Sequence, residues 1–182
     1  QHGIDVVHDA PGVGDNLQDN CDYTVIRSVR SSHARGYTVS RTVRAIPELL
    51  KYLQGRGPDT STLGDAGGVG RTSCAVPAPA IQLHFVPGIV DNHGRSLHFR
   101  PGISCHVCVL RPESRGSLTL RDADPMSAPN IDPNFLATSD DVERTLKGAR
   151  LVHRVLNAPA FEPVGGKTVC IDSDADDDRL LE

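Results

Sequence analysis

Residues 103–121 constrain the fold most, because two segments of alternating character flank residues that favour a turn. From residue 103 to 110 an apolar face alternates with a mixed face, as in a β-strand. The apolar face carries Ile103, Cys105, Val107 and Val109, and the mixed face carries Ser104, His106, Cys108 and Leu110. Pro112 and Gly116 suit a loop, after which Leu118 and Leu120 resume the apolar face. This pattern predicts a β-hairpin.

Periodicity predicts further elements along the chain. Residues 3–8, 21–28 and 80–86 have the apolar, β-branched or alternating pattern of strands. Residues 39–53 and 138–158 carry apolar residues at spacings of three and four, which predicts two helices. Pro47 interrupts the first and should end one helix or kink it, so we expect the helix proper to begin near Ile46 with Pro47 in its first turn. Thr138 followed by Asp141 resembles the capping box that begins a helix.

Composition limits the class of protein. A chain of 182 residues, 38% hydrophobic and 23% charged, is the size of one globular domain. A net charge of -4 gives no general attraction to nucleic acid or to anionic membranes. No apolar run approaches the roughly 18 residues of a membrane span, and no charged leader precedes an apolar segment. Five cysteines at irregular spacing argue against a disulfide framework and favour a reducing cytoplasm. Because the chain opens on Gln1, we expect it to be a piece of a longer protein.

Three patterns that suggest metal or phosphate chemistry have simpler interpretations. Cys105 and Cys108 form a C-x-x-C, but residues three apart on a strand point to opposite faces, which favours structural cysteines. The glycine-rich residues 64–70 do not fit G-x-G-x-x-G and favour a loop leading into a strand. The acidic residues 172–178 suggest a calcium loop but lack the EF-hand glycine and glutamate. We favour an acidic cap on a helix that begins near Asp174.

His84 and His106 lie on the mixed faces of two predicted strands. If these strands share a sheet, both imidazoles and Gln82 project from the face opposite the helices. Two interpretations stay open, namely the wall of a pocket and a solvated sheet face.

Four motifs in order carry a family resemblance. The first is GIDVVHDAPGVGDNLQD at residues 3–19, with Asn20 at a position where the family commonly has His. The second is LRPESRG at residues 110–116, and the others are Asp124-Pro125 and NIDPNF at residues 130–135. Together they resemble the glucose-methanol-choline (GMC) oxidoreductases, in particular their choline-dehydrogenase-like flavoenzymes.

The resemblance implies an α+β fold, an antiparallel β-sheet with helices packed on one face and a flavin under the other. It implies that residues 1–182 form one substrate-binding domain. Residues 1–20 would leave a preceding FAD-binding domain, and the acidic helix start at residues 172–182 would lead to a segment with the catalytic histidine. The parent would be an FAD-dependent dehydrogenase or oxidase of choline-like or other primary alcohols. Alone, the chain is expected to be inactive and not to retain FAD.

The resemblance also extends to individual residues. Asp65 matches a position that is commonly Glu in choline-type members, where a carboxylate attracts a cationic alcohol. The expected contacts are Asp65, Gln82, His84 and His106 for the substrate and Asn16, Gln18 and Asp19 for the cofactor, with no metal ligand. The competing hypothesis is a non-enzymatic α+β module that binds a small ligand or metal through Asp65, His84, His106 and the acidic tail.

Overall fold

A computed structural model describes residues 2–30, 39–57, 60, 64, 66–74, 77–91, 95–96, 98–169 and 176–181, without the side chains of residues 39–45 and 181. Its main feature is a four-stranded antiparallel sheet in the order β1-β4-β3-β2. The strands are β1 (Asp22–Ser28), β2 (Ala66–Gly70), β3 (Ile81–Val86) and β4 (Gly102–Val109). A separate two-stranded sheet pairs β5 (Ser117–Thr119) with β6 (Asn130–Asp132).

The helices are α1 (Val39–Leu53), α2 (Ser139–Leu156), a 3-10 helix (Pro159–Val164) and the short α3 (Asp177–Leu181). None of them, over the residues described, combines the length and apolar character that crossing a bilayer requires. α2 packs against β4 and β1, and the core lies between them. The buried core residues are Val25, Val29, Ile81, Ile103, Cys105, Val107, Val152 and Leu156. The predicted α+β fold, with an antiparallel sheet and helical packing, is confirmed.

The start of α2 follows the predicted capping box. Thr138 has extended backbone, and its hydroxyl oxygen accepts a hydrogen bond from the backbone N–H of Asp141 at 3.3 Å. Asp140 and Asp141 lie in the first turn and Arg154 lies in the last beside His153, so the charges of Asp140, Asp141 and Arg154 match the helix dipole. The helix therefore begins and ends close to where the sequence predicts.

The predicted hairpin over residues 103–121 is wrong, although both of its strands exist. β4 pairs on one side with β1 and on the other with β3, so neither of its edges is free for β5. The chain instead leaves the sheet after Leu110, and Gly116 forms a bridge with Leu17. Leu118 and Leu120 lie outside the core, with 41% and 56% of their surface exposed.

Two other predictions at the N-terminal side are also wrong. Residues 3–8 contain turns and bends but no strand, and Val7 is 99% exposed, because no strand in the described part of the chain pairs with them. α1 begins at Val39 rather than near Ile46 and continues through Pro47. A proline inside a helix removes one hydrogen bond without necessarily ending the helix. The apolar residues of its described part, among them Leu50 and Leu53, are exposed.

Candidate functional site

The sheet face opposite α2 is polar at one end. The strand register places His84 directly across from His106, with Thr24 on the far side of His106 and Gly67 on the far side of His84. In the next row, Gln82 lies opposite Cys108. Because cross-strand partners project from the same side of a sheet, the side chains of these two rows share one face. The structure thus brings Gln82, His84 and His106 together on the face that sequence alternation assigns to them.

His106 is held by two side chains from β1. Its Nδ1 lies 2.7 Å from Oδ2 of Asp22 and 2.8 Å from Oγ1 of Thr24. The hydroxyl of Thr24 is also 3.4 Å from Oδ2 of Asp22. The side chain of His106 is 15% exposed and that of Asp22 is 42% exposed, so the imidazole is partly buried and the carboxylate lies at the surface. Sequence reasoning did not select Asp22 or Thr24, although the alternation of β1 puts both on the same side.

The other end of this face is covered. The buried hydroxyl of Ser104 donates to the carbonyl oxygen of Gly88 and accepts from the N–H of Val90, both at 2.9 Å. Ile89 lies over Gly102, where an added Cβ would come within 2.4 Å of the Ile89 side chain. The loop after β3 therefore closes this end, and among the described residues the polar rows occupy the uncovered part, where His84 is exposed.

The loop after β4 is fixed by one buried carboxylate. Asp141 accepts hydrogen bonds from the backbone N–H groups of Glu113 and Ser114 at 2.9 and 2.8 Å. It also accepts from the hydroxyl of Ser114 at 2.5 Å, and that hydroxyl oxygen accepts from the N–H of Ala137. These bonds attach the LRPESRG stretch to the first turn of α2, which packs on the side of the sheet opposite the polar face.

A family model and several known proteins match this chain in sequence. The family model described as GMC oxidoreductase matches residues 112–181. An alcohol dehydrogenase [acceptor] of Pseudomonas putida is 35% identical over 88% of this chain and 29% of its own length. An oxygen-dependent choline dehydrogenase of Pseudomonas fluorescens (strain SBW25) is 31% identical over 98% of this chain and 32% of its own length.

The chain belongs to the GMC oxidoreductase family. Solved structures agree with this in fold. A formate oxidase of Aspergillus oryzae RIB40 superposes with a TM-score of 0.80 at 21% identity, over 99% of this chain and 37% of that one. A fungal aryl-alcohol oxidase superposes with a TM-score of 0.70 at 19% identity, over 98% of this chain and 38% of that one. This GMC chain thus spans about a third of the length of the relatives that it matches.

The three residues expected to contact a cofactor in the GMC chain lie in one exposed segment. Asn16 has a left-handed backbone with φ of 61°, and the amide of Gln18 donates to its carbonyl oxygen at 3.4 Å. Oδ1 of Asp19 accepts from the N–H of Asn20 at 2.8 Å. Leu17 exchanges two backbone hydrogen bonds with Gly116, at 3.0 and 2.9 Å. This pairing attaches the segment to the loop after β4 and leaves its polar groups exposed.

The other predictions for the GMC chain concern the substrate contact of Asp65, the acidic cap and the binding of a metal ion. Asp65 lies outside the described residues, immediately before β2. Of the predicted acidic cap, Asp177 and Asp178 lie in the first turn of α3, which begins at Asp177, whereas residues 172–175 lie outside the described residues. Across the described residues, no group of three or more His, Cys, Asp or Glu side chains could hold a metal ion.

The cysteines of the C-x-x-C face opposite sides of β4, as alternation predicts. Cys105 lies across from Val25 and Phe85 on the α2 side, and Cys108 lies across from Gln82 on the polar side. Burial, with a smaller effect from the charge of Asp22, raises the pKa of the Cys105 thiol to about 11. The same two causes raise the pKa of Cys108. Both therefore remain thiols at neutral pH, which disfavours thiolate chemistry.

Proposed function

We propose that this chain is the substrate-binding part of an FAD-dependent oxidoreductase that acts on CH–OH donors. The observation that carries the proposal is the pair of facing imidazoles, His84 and His106, on the uncovered polar face of the sheet. A pocket that recognises an alcohol needs a few convergent polar groups on a rigid element, and this face supplies them. The names of the relatives, alcohol dehydrogenase and choline dehydrogenase, support the same substrate class.

The substrate within this class is a choline-like or other primary alcohol. Gln82, His84 and His106 would bind and orient its polar groups, and Asp65 would attract a cationic one. FAD, when bound, supplies the acceptor for the hydride, and the catalytic histidine lies outside this chain. Asn16, Gln18 and Asp19 would contact the cofactor from the exposed segment beside Gly116. The main partner would be an FAD-binding domain of the same protein, working in a reducing cytoplasm.

The test is alcohol-dependent reduction of flavin in the protein made from the complete coding sequence. Under anaerobic conditions, choline and a series of primary alcohols are added, and the absorbance of oxidised flavin is followed. At least one alcohol should bleach the flavin. His84→Ala and His106→Ala should raise the KM for that alcohol roughly fivefold, the effect of one lost hydrogen bond.

The matched control is His98→Ala, which removes a histidine that pairs with Asp91 at 2.8 Å in the segment between β3 and β4 and is not one of the residues of the polar rows. Its KM should equal that of the wild type. Flavin that stays oxidised with every alcohol would refute the proposed function.

A further inference from the structure

The carboxylate of Asp22 determines which nitrogen of His106 carries hydrogen. An ionised carboxylate only accepts hydrogen bonds, so an atom 2.7 Å from Oδ2 of Asp22 must be a donor. Without a hydrogen on Nδ1, two lone pairs would face each other at that distance and repel. The geometry therefore requires Nδ1–H on His106, donating to Asp22.

Thr24 reinforces this arrangement. Its Oγ1 lies 2.8 Å from the same Nδ1 and 3.4 Å from Oδ2 of Asp22. The threonine hydroxyl can donate to the carboxylate while its lone pair accepts part of the shared Nδ1–H. All the hydrogens of the group then have acceptors, and the imidazole has contacts that fix its orientation.

The consequence concerns the other nitrogen. A neutral imidazole with hydrogen on Nδ1 has an unprotonated Nε2, which is an acceptor. Among the described residues Nε2 of His106 has no hydrogen-bond partner. Since His106 lies on the uncovered polar face opposite His84, this acceptor is available to a bound molecule.

We propose that Asp22 and Thr24 are positioning residues that hold His106 in the Nδ1–H tautomer, so that its Nε2 accepts a hydrogen bond from the hydroxyl of a bound alcohol. The identity of the ligand rests on the function proposed above. The tautomer rests only on the contacts of β1 with β4. The tautomer and the identity of the ligand can therefore be refuted independently of each other.

The tautomer is tested by long-range ¹H–¹⁵N NMR correlation on this uniformly labelled chain, at a pH above the imidazole titration. His106 should show the pattern of a protonated Nδ1 and an unprotonated Nε2. His98 is an internal control for the opposite tautomer, because its Nε2 lies 2.8 Å from Asp91 and should carry the hydrogen. A protonated Nε2 on His106 in the wild type would overturn the proposal.

Two variants separate positioning from folding. Asp22→Asn combined with Thr24→Val should move His106 towards a mixture of tautomers while His98 keeps its own. Asp91→Asn should move His98 towards a mixture of tautomers while His106 keeps its own. If the double variant leaves the His106 pattern unchanged and its spectrum otherwise native, Asp22 and Thr24 do not control the tautomer, and the proposal fails.

The ligand is tested by steady-state kinetics on the protein from the complete coding sequence. Asp22→Asn should raise the KM for the alcohol roughly fivefold with a smaller change in kcat, and Thr24→Ser should retain the wild-type KM. An unchanged KM in Asp22→Asn would overturn the role of Nε2 as acceptor. Absence of alcohol oxidation by the wild type would refute the proposed function and the alcohol as ligand, and would leave the tautomer as measured.

Discussion

At the scale of single residues, Asp141 explains why the LRPESRG stretch has a defined conformation. Burial alone would raise the pKa of its carboxyl. Hydrogen bonds from the Ser114 hydroxyl, from the N–H groups of Glu113 and Ser114, and from Thr138 outweigh burial and lower that pKa. Asp141 is therefore an ionised, fully bonded group that connects this loop to α2. The sequence marked Asp141 only as part of a capping box, because its partners lie 27 and 28 residues away.

Asp141→Asn should lower the free energy of unfolding at neutral pH by about 2 kcal/mol, because it weakens charge-assisted hydrogen bonds to a buried group. A carboxyl whose pKa is lowered by folding stabilises the protein above its ordinary pKa of 3.8. That contribution is lost as pH falls through the lower, folded-state pKa. Urea unfolding at several pH values should therefore show the wild type and the variant converging in acid.

The control for this prediction is Glu143→Gln, which lies in the same helix on an exposed i,i+4 pair with Lys147. This substitution should change the free energy of unfolding very little. A gap between wild type and Asp141→Asn that stays constant into acid would show that the charge of Asp141 does not contribute.

At the scale of elements, the contact of α2 with β4 depends on a missing side chain. Gly148 is buried in the middle of α2, where an added Cβ would lie 2.9 Å from Cγ2 of Val107 and 3.4 Å from its Cγ1. Glycine disfavours helix, but here it lets the helix approach the sheet closely. Val107 is buried and branched at Cβ, so it has little freedom to move away.

Gly148→Ala should therefore destabilise the protein by about 1–2 kcal/mol, despite the better helix propensity of alanine. Val107→Ala alone should also destabilise, because it leaves a cavity. In the double variant the two changes should compensate in part, which a double-mutant cycle of unfolding free energies measures. A Gly148→Ala variant more stable than the wild type would contradict the close approach.

At the scale of the whole molecule, the position of β4 in the middle of the sheet sets the accessibility of the thiols. Cys105 is 2% exposed and Cys108 is also buried, whereas Cys74 is exposed. Burial also raises the pKa of both strand thiols, so little thiolate forms at neutral pH. The rate at which an alkylating reagent modifies these thiols should therefore report whether the sheet is intact.

Iodoacetamide at neutral pH should modify Cys74 well before Cys105 and Cys108 in the native chain, because alkylation requires an accessible thiolate. Mass spectrometry of peptides after timed quenching measures each rate. In concentrated urea the three rates should become similar. Native rates for Cys105 equal to that of Cys74 would indicate that β4 is not buried under α2 and its neighbouring strands.

Local sequence was enough to predict the strand character of β4 and β3, the capped start of α2 and the side of the sheet on which His84 and His106 lie, and it contains the family motifs. These depend on local periodicity and short motifs, which are visible along the chain. Which strands and side chains become neighbours depends on tertiary packing. β4 pairs with β1 and β3 rather than β5, and Asp22 meets His106 across 84 residues of chain. The physical reason is that alternation specifies which face a side chain occupies, whereas pairing depends on which strand edges remain free once the core has packed.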